Sequence, residues 1–107
     1  MKQRLYVAGP MTGLPDLNFP AFHRAAAQLR ALGYQVVNPA EINTDPAADW
    51  LTCMRAGIKQ LVDVDAIVML PGWERSKGAT LEHAIAVGLG LQVFALFDLV
   101  YPEAQAA

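Results

Sequence analysis

Ala66-Ile67-Val68-Met69-Leu70-Pro71-Gly72-Trp73-Glu74-Arg75-Ser76-Lys77-Gly78-Ala79-Thr80-Leu81-Glu82 is the stretch that decides the fold. Its first five residues are apolar without alternation, the pattern of a strand buried on both faces. A short polar loop follows. Leu81, Ala84, Ile85, Gly88 and Leu91 then recur at helical spacing, so a helix is expected over Gly78 to Gly90. Loops at the carboxyl ends of parallel strands are where open α/β sheets bind ligands. This loop carries a hydroxyl, a cation, a glycine and a carboxylate.

The same order repeats outward. Leu5-Tyr6-Val7-Ala8 reads as a buried strand stopped by Gly9-Pro10, and Gly9 to Asn18 as a loop. A helix is expected from Phe19 to Leu32, with Pro20 in its first turn and Gly33 at its exit. Phe19, Phe22, Ala26, Leu29 and Leu32 or Gly33 should face the sheet. Tyr34 to Val37 reads as a second strand and Glu41 to Ala48 as a loop. A helix starting near Asp45-Pro46 or Asp49 and ending at Val62 should bury Leu51, Met54, Ile58 and Leu61. Asp65 opens the third strand, and Val93 to Phe97 makes a fourth. From Pro102 onward the tail has little to anchor it.

Strand–helix alternation throughout argues one α/β domain over residues 1–107. The expected architecture is a doubly wound, flavodoxin- or Rossmann-like parallel sheet of about four strands, order 2-1-3-4, with helices on both faces. The order reverses between the first and third strands. A crevice is therefore expected between the loop after Ala8 and the loop after Leu70.

Composition excludes several classes. With 54% hydrophobic and 17% charged residues in 107, the chain is not disordered, and the apolar excess suggests self-association into a homodimer or larger homo-oligomer. A net charge of −2 gives no electrostatic reason to bind a nucleic acid polymer. The longest apolar stretch, Ala84 to Phe97, is interrupted and too short to span a membrane. The single cysteine, Cys53, forms no internal disulfide, which fits a reducing cytoplasm. His23 and His83 lack partners at metal-ligand spacing, so no metal is expected.

In the crevice, Glu82 reads two ways. It is a solvated glutamate in the first helical turn, or an ionised carboxylate aimed at a ligand, suited to attack on an anomeric carbon. Tyr6, if buried, needs a hydroxyl partner, and Glu82 is within geometric reach. Ser76, Lys77 and Gly78 form either an anion site at a helix start or an ordinary serine cap beside an exposed lysine. The first loop, Gly9-Pro10-Met11-Thr12-Gly13, lacks the lysine and spacing of a P-loop and lacks the dinucleotide fingerprint, so no cofactor is expected. It reads as a wrap around a small ligand or as a plain glycine-rich turn. Trp73 reads as a stacking platform for a base or as a lid over the core.

Four segments carry a resemblance: Leu5 to Gly13, Asn18 to Phe22, Val37 to Glu41, and Asp65 to Ala79 continuing to Glu82. Together they resemble the nucleoside 2-deoxyribosyltransferase superfamily, in a small branch related to deoxynucleoside 5′-monophosphate N-glycosidases. The resemblance implies cleavage or transfer of the N-glycosidic bond of a nucleoside or its 5′-monophosphate. By the same resemblance, Glu82 is the nucleophile on C1′ and Tyr6 its hydrogen-bond donor. Gly9 to Gly13, Trp73, Ser76, Lys77 and Gly78 would hold the substrate. Ser76 stands where the transferase branch carries an aspartate, and a hydroxyl tolerates a phosphate that a carboxylate would repel. One departure matters: the family's helix aspartate aligns with Gly57, which supplies no proton. The alternative implied is a nucleotide sensor of the same fold without turnover.

Overall fold

The structure is a computed structural model that describes residues 2–105. Four strands run in order: β1 (Arg4–Ala8), β2 (Gln35–Val37), β3 (Ala66–Met69) and β4 (Gln92–Ala95). All pairings are parallel and the sheet order is β2-β1-β3-β4. The helices are α1 (Phe19–Ala31), α2 (Pro39–Ile42), α3 (Trp50–Leu61), α4 (Lys77–Gly88) and α5 (Leu96–Val100), with short 3₁₀ turns at Pro15–Asn18, Trp73–Arg75 and Pro102–Gln105.

Period-two alternation divides the central strands between two cores. Leu5, Val7, Ala66 and Val68 face one side, where Phe22, Ala25 and Leu29 of α1 cover them. Tyr6, Ala8, Ile67 and Met69 face the other, beneath Leu61 of α3 and Ala79 and Ala86 of α4. Helices therefore cover both faces.

Local chemistry fixes the helix ends. The Asp49 carboxylate accepts from the Thr52 N–H at 2.9 Å, and the Ser76 hydroxyl accepts from the Ala79 N–H at 3.2 Å, so each caps a first turn. At the end of α1, Gly33 is left-handed. Its N–H donates to Arg30 O and that of Tyr34 to Leu29 O, closing the last carbonyls.

Three expectations are corrected. The segment after β4 is helical, because β3 ends opposite Ala95 and leaves residue 96 onward without a ladder partner. Leu96 and Leu99, three apart, pack instead on the α1-side core. Residues within Glu41 to Ala48 are not all loop, since α2 forms behind an Asn38 cap whose side chain accepts from Ala40 N–H at 3.0 Å. The buried side of α3 is Gly57 and Leu61, while Leu51 is 59% exposed; at the end of α1, Leu32 is also exposed. The tail forms a 3₁₀ turn to Gln105, and its last two residues lie outside the described range.

Candidate active site

The two loops at the sheet's reversal meet closely. Leu70 N–H donates to Ala8 O at 2.8 Å, and a β-carbon on Gly9 would stand 2.7 Å from that of Leu70, so only glycine lets the arms converge. The first arm is closed by Asn18, whose side-chain amide donates to Pro10 O at 3.0 Å. Asp16, Leu17 and Asn18 are all left-handed, with φ between 51° and 60°. That conformation costs a residue with a β-carbon about 1–2 kcal/mol.

Below the loops lies a buried polar pair. Tyr6 is completely buried and Glu82 is 7% exposed. The Tyr6 hydroxyl donates to Glu82 Oε2 at 2.5 Å. Glu82 is the sixth residue of α4, on the side shared with the buried Gly78, Ala79 and Ala86. It is therefore not the first-turn carboxylate the sequence suggested, and among the described residues its side chain receives a hydrogen bond from Tyr6 alone. The expectation that helix amides keep it ionised is corrected accordingly. Burial pushes its pKa up to about 7, and the Tyr6 hydrogen bond opposes that rise. Burial, then the charge and hydrogen bond of Glu82, push the Tyr6 phenol far above its usual range. So Tyr6 remains a donor, and Glu82 exists near neutrality as a mixture of acid and carboxylate.

Gly57 explains how the pair fits. A β-carbon built there would overlap the Tyr6 hydroxyl and stand 3.3 Å from Glu82 Oε2. The backbone of α3 is thus the third wall around the hydrogen bond. The glycine that reads in sequence as a lost acid is, in space, room for a phenol.

A hollow of about 290 Å³ opens onto this pair. Its wall includes Tyr6, Gly9, Met11, Thr12, Ser76, Gly78 and Glu82, so seven of the residues singled out in the sequence share one cavity. A wider adjoining cleft of about 930 Å³ is walled in part by Pro10, Thr12, Ser76, Lys77 and Gly78.

These loops and this sheet invite comparison with known proteins. A family model described as "Domain of unknown function (DUF4406)" matches residues 3–95. The chain belongs to the DUF4406 family. Its fold is shared with a solved structure titled 2-desoxiribosyltransferase from Leishmania mexicana, with a TM-score of 0.66 and 23% sequence identity. That similarity covers 87% of this chain and 63% of the other, so the chain spans less than two thirds of that protein's length. No curated protein matches the chain.

Two expected site residues of this DUF4406 chain line neither cavity. Gly13 sits at the turn of the first arm with φ 83°. Trp73 stacks on His83, with ring centroids 4.4 Å apart and planes 26° from parallel, and packs on the α4-side core. Proximity in sequence pointed Trp73 at the crevice, but its ring is taken up by His83 and the core instead.

The aromatic that the sequence reading missed is Trp50. It lines both cavities, and the Lys77 ammonium lies 4.4 Å above its ring. The available signal was the Asp49 cap, which fixes Trp50 as the first residue of a helix entering the crevice. Asp45, Cys53 and Met54 also line the hollow unforeseen. Among the described residues no three His, Cys, Asp or Glu side chains converge, and no helix is long and apolar enough to cross a membrane.

Proposed function

We propose that this chain cleaves or transfers the N-glycosidic bond of a nucleoside or its 5′-monophosphate, with Glu82 as nucleophile. The observation that carries the reading is the Glu82 carboxylate, buried, facing a hollow, and held by one oxygen on the Tyr6 hydroxyl. Oε2 is engaged by Tyr6, which leaves Oε1 to attack C1′. The C1′–O bond forms as the C1′–N bond breaks, the base leaving with the electron pair and taking a proton from water. A water or an acceptor base then attacks C1′ and Glu82 departs as carboxylate. A retaining double displacement of this kind has a cation-like transition state, which a nearby carboxylate stabilises. The shared fold with a protein titled 2-desoxiribosyltransferase supports the substrate class.

Ser76 supports a 5′-monophosphate. Its hydroxyl oxygen accepts from Ala79 N–H and keeps its own hydrogen to donate. Lys77 adds the charge. Thr12 and the first-loop amides complete the 5′ end, and Trp50 takes the wall position first expected of Trp73. Self-association in the cytoplasm belongs to the same reading. Exposed Leu81 and Val87 on α4 and Leu89 just beyond it support it, and sedimentation tests the assembly.

Gly57 favours a second reading, a nucleotide binder without turnover, because the hollow gains no acid from α3. Incubation with nucleosides and 5′-monophosphates, followed by chromatography for free base, separates the two. Base release by the wild type and none by Glu82→Ala supports catalysis. A raised melting temperature with no base from any substrate selects the binder.

A further inference from the structure

The wider cleft differs in character from the hollow it adjoins. The two share Thr12, Trp50, Ser76 and Gly78 as a common wall. At about 930 Å³ against 290 Å³, the cleft is much the larger. The chain has ten acidic and eight basic residues. No acidic residue stands on the cleft wall, whereas Arg75 and Lys77 both do.

No counter-charge on the cleft wall faces these two exposed cations. The Lys77 ammonium rests over the Trp50 ring. On another part of the wall, Arg75 Nη2 lies 3.5 Å from where a Gly72 β-carbon would stand, beside Pro10. The one ion pair among the described residues is Arg30 with Glu41, far along the chain from either. The exposed neighbour Glu74 is not on the wall.

We propose that this cleft is a polyphosphate subsite, with Arg75 as the cation that receives the phosphates beyond the first. Resting on the reading of Glu82 as nucleophile, this makes the substrate class a nucleoside 5′-di- or triphosphate. Ser76 on the shared wall and Lys77 beside it on the cleft wall suffice for one phosphate. Arg75, exposed beside Gly72 and Pro10 on the same cleft wall, would meet a phosphate that continues from the first. Guanidinium presents paired donors that match phosphate oxygens, which suits it to the outer position. The cavities also orient the ligand. Glu82 in the inner hollow repels the anionic end and the outer cleft attracts it, so the sugar carbon is turned inward.

Inorganic phosphate, pyrophosphate and tripolyphosphate test the subsite without reference to any base, by calorimetric titration at matched ionic strength. Pyrophosphate is expected to bind the wild type about tenfold or more tighter than phosphate, as an added charge-assisted contact implies. Arg75→Ala should remove that advantage and change phosphate binding by less than about threefold, since Arg75 is at the outer end. Circular dichroism checks that the variant is folded. Equal affinity for phosphate and pyrophosphate in the wild type overturns the proposal, and so does an Arg75→Ala variant that keeps the pyrophosphate advantage. Base release from monophosphates with no pyrophosphate preference leaves the glycosidic reading standing and sinks this one. An Arg75-dependent pyrophosphate preference without base release from any nucleotide does the reverse.

Discussion

Replacing Glu82 by glutamine should make the protein more stable and chemically inert, and the gain should depend on pH in a particular direction. In the folded protein the Glu82 carboxyl loses its proton at about 7, against 4.5 for the free group. The folded state therefore holds this proton more tightly than the unfolded chain does. Below pH 4.5 both states are protonated and no penalty exists. Between pH 4.5 and 7 the unfolded chain ionises first, so stability falls as pH rises. Above pH 7 both are ionised and the penalty is constant, at roughly 3 kcal/mol from the separation of the two values. Glutamine keeps a carbonyl oxygen for the Tyr6 hydroxyl and has no proton to lose. Urea unfolding of both proteins from pH 4.5 to 8 reads the effect as the difference between two stability curves, in which other titrations largely cancel. The difference should grow through the neutral range and level off above pH 7, with the variant the more stable. A flat difference, or one that grows toward acid, would refute the account of Glu82 as a buried carboxylate.

Tyr6→Phe removes the one donor that holds the Glu82 pKa down. The midpoint of the pH–stability difference should therefore move above 7, and the acidic limb of any base-release profile, set by ionisation of the nucleophile, should move up with it. Gly57→Ala gains about 1 kcal/mol of helix propensity but drives a methyl into the Tyr6 hydroxyl, and overpacking costs about 1–3 kcal/mol. The expected result is net destabilisation in denaturant, together with the same upward pH displacement as Tyr6→Phe; a stabilised variant with an unmoved profile would contradict it. Asp16→Gly should raise stability by up to about 1 kcal/mol, since the residue replaced is left-handed and exposed, and thermal melting checks this.

Much of the fold was legible because β1 and β3 are buried on both faces, and an uninterrupted apolar run has few other interpretations. Leu96 and Leu99 show the opposite case. Their run continues a strand pattern, and only the end of the β3 ladder opposite Ala95 decides that the backbone coils instead. At the site, Tyr6 and Glu82 could be matched because topology places β1 beside β3, whose following loop begins α4. The depth of Glu82 was not legible. It depends on α4 beginning one residue earlier, at Lys77 behind the Ser76 cap, and on the small Gly78 and Ala79 letting the helix approach the sheet. Trp73 and Trp50 were exchanged for a related reason. Sequence adjacency to a loop does not say on which side of the following helix a ring will fall. Gly57 had a meaning that only three-dimensional packing reveals, since its steric partner is 51 positions away in the chain, at Tyr6.

The hydrogen bond between Tyr6 and Glu82 joins residues 76 positions apart. Its donor lies on β1 and its acceptor on α4, with β2, α3 and β3 made between them. A chain ending before α4 has the phenol but no acceptor for it. A contact of such sequence separation is among the later ones to form in assembly. The polar pair thus exists only in a chain that already carries β1, β3 and α4.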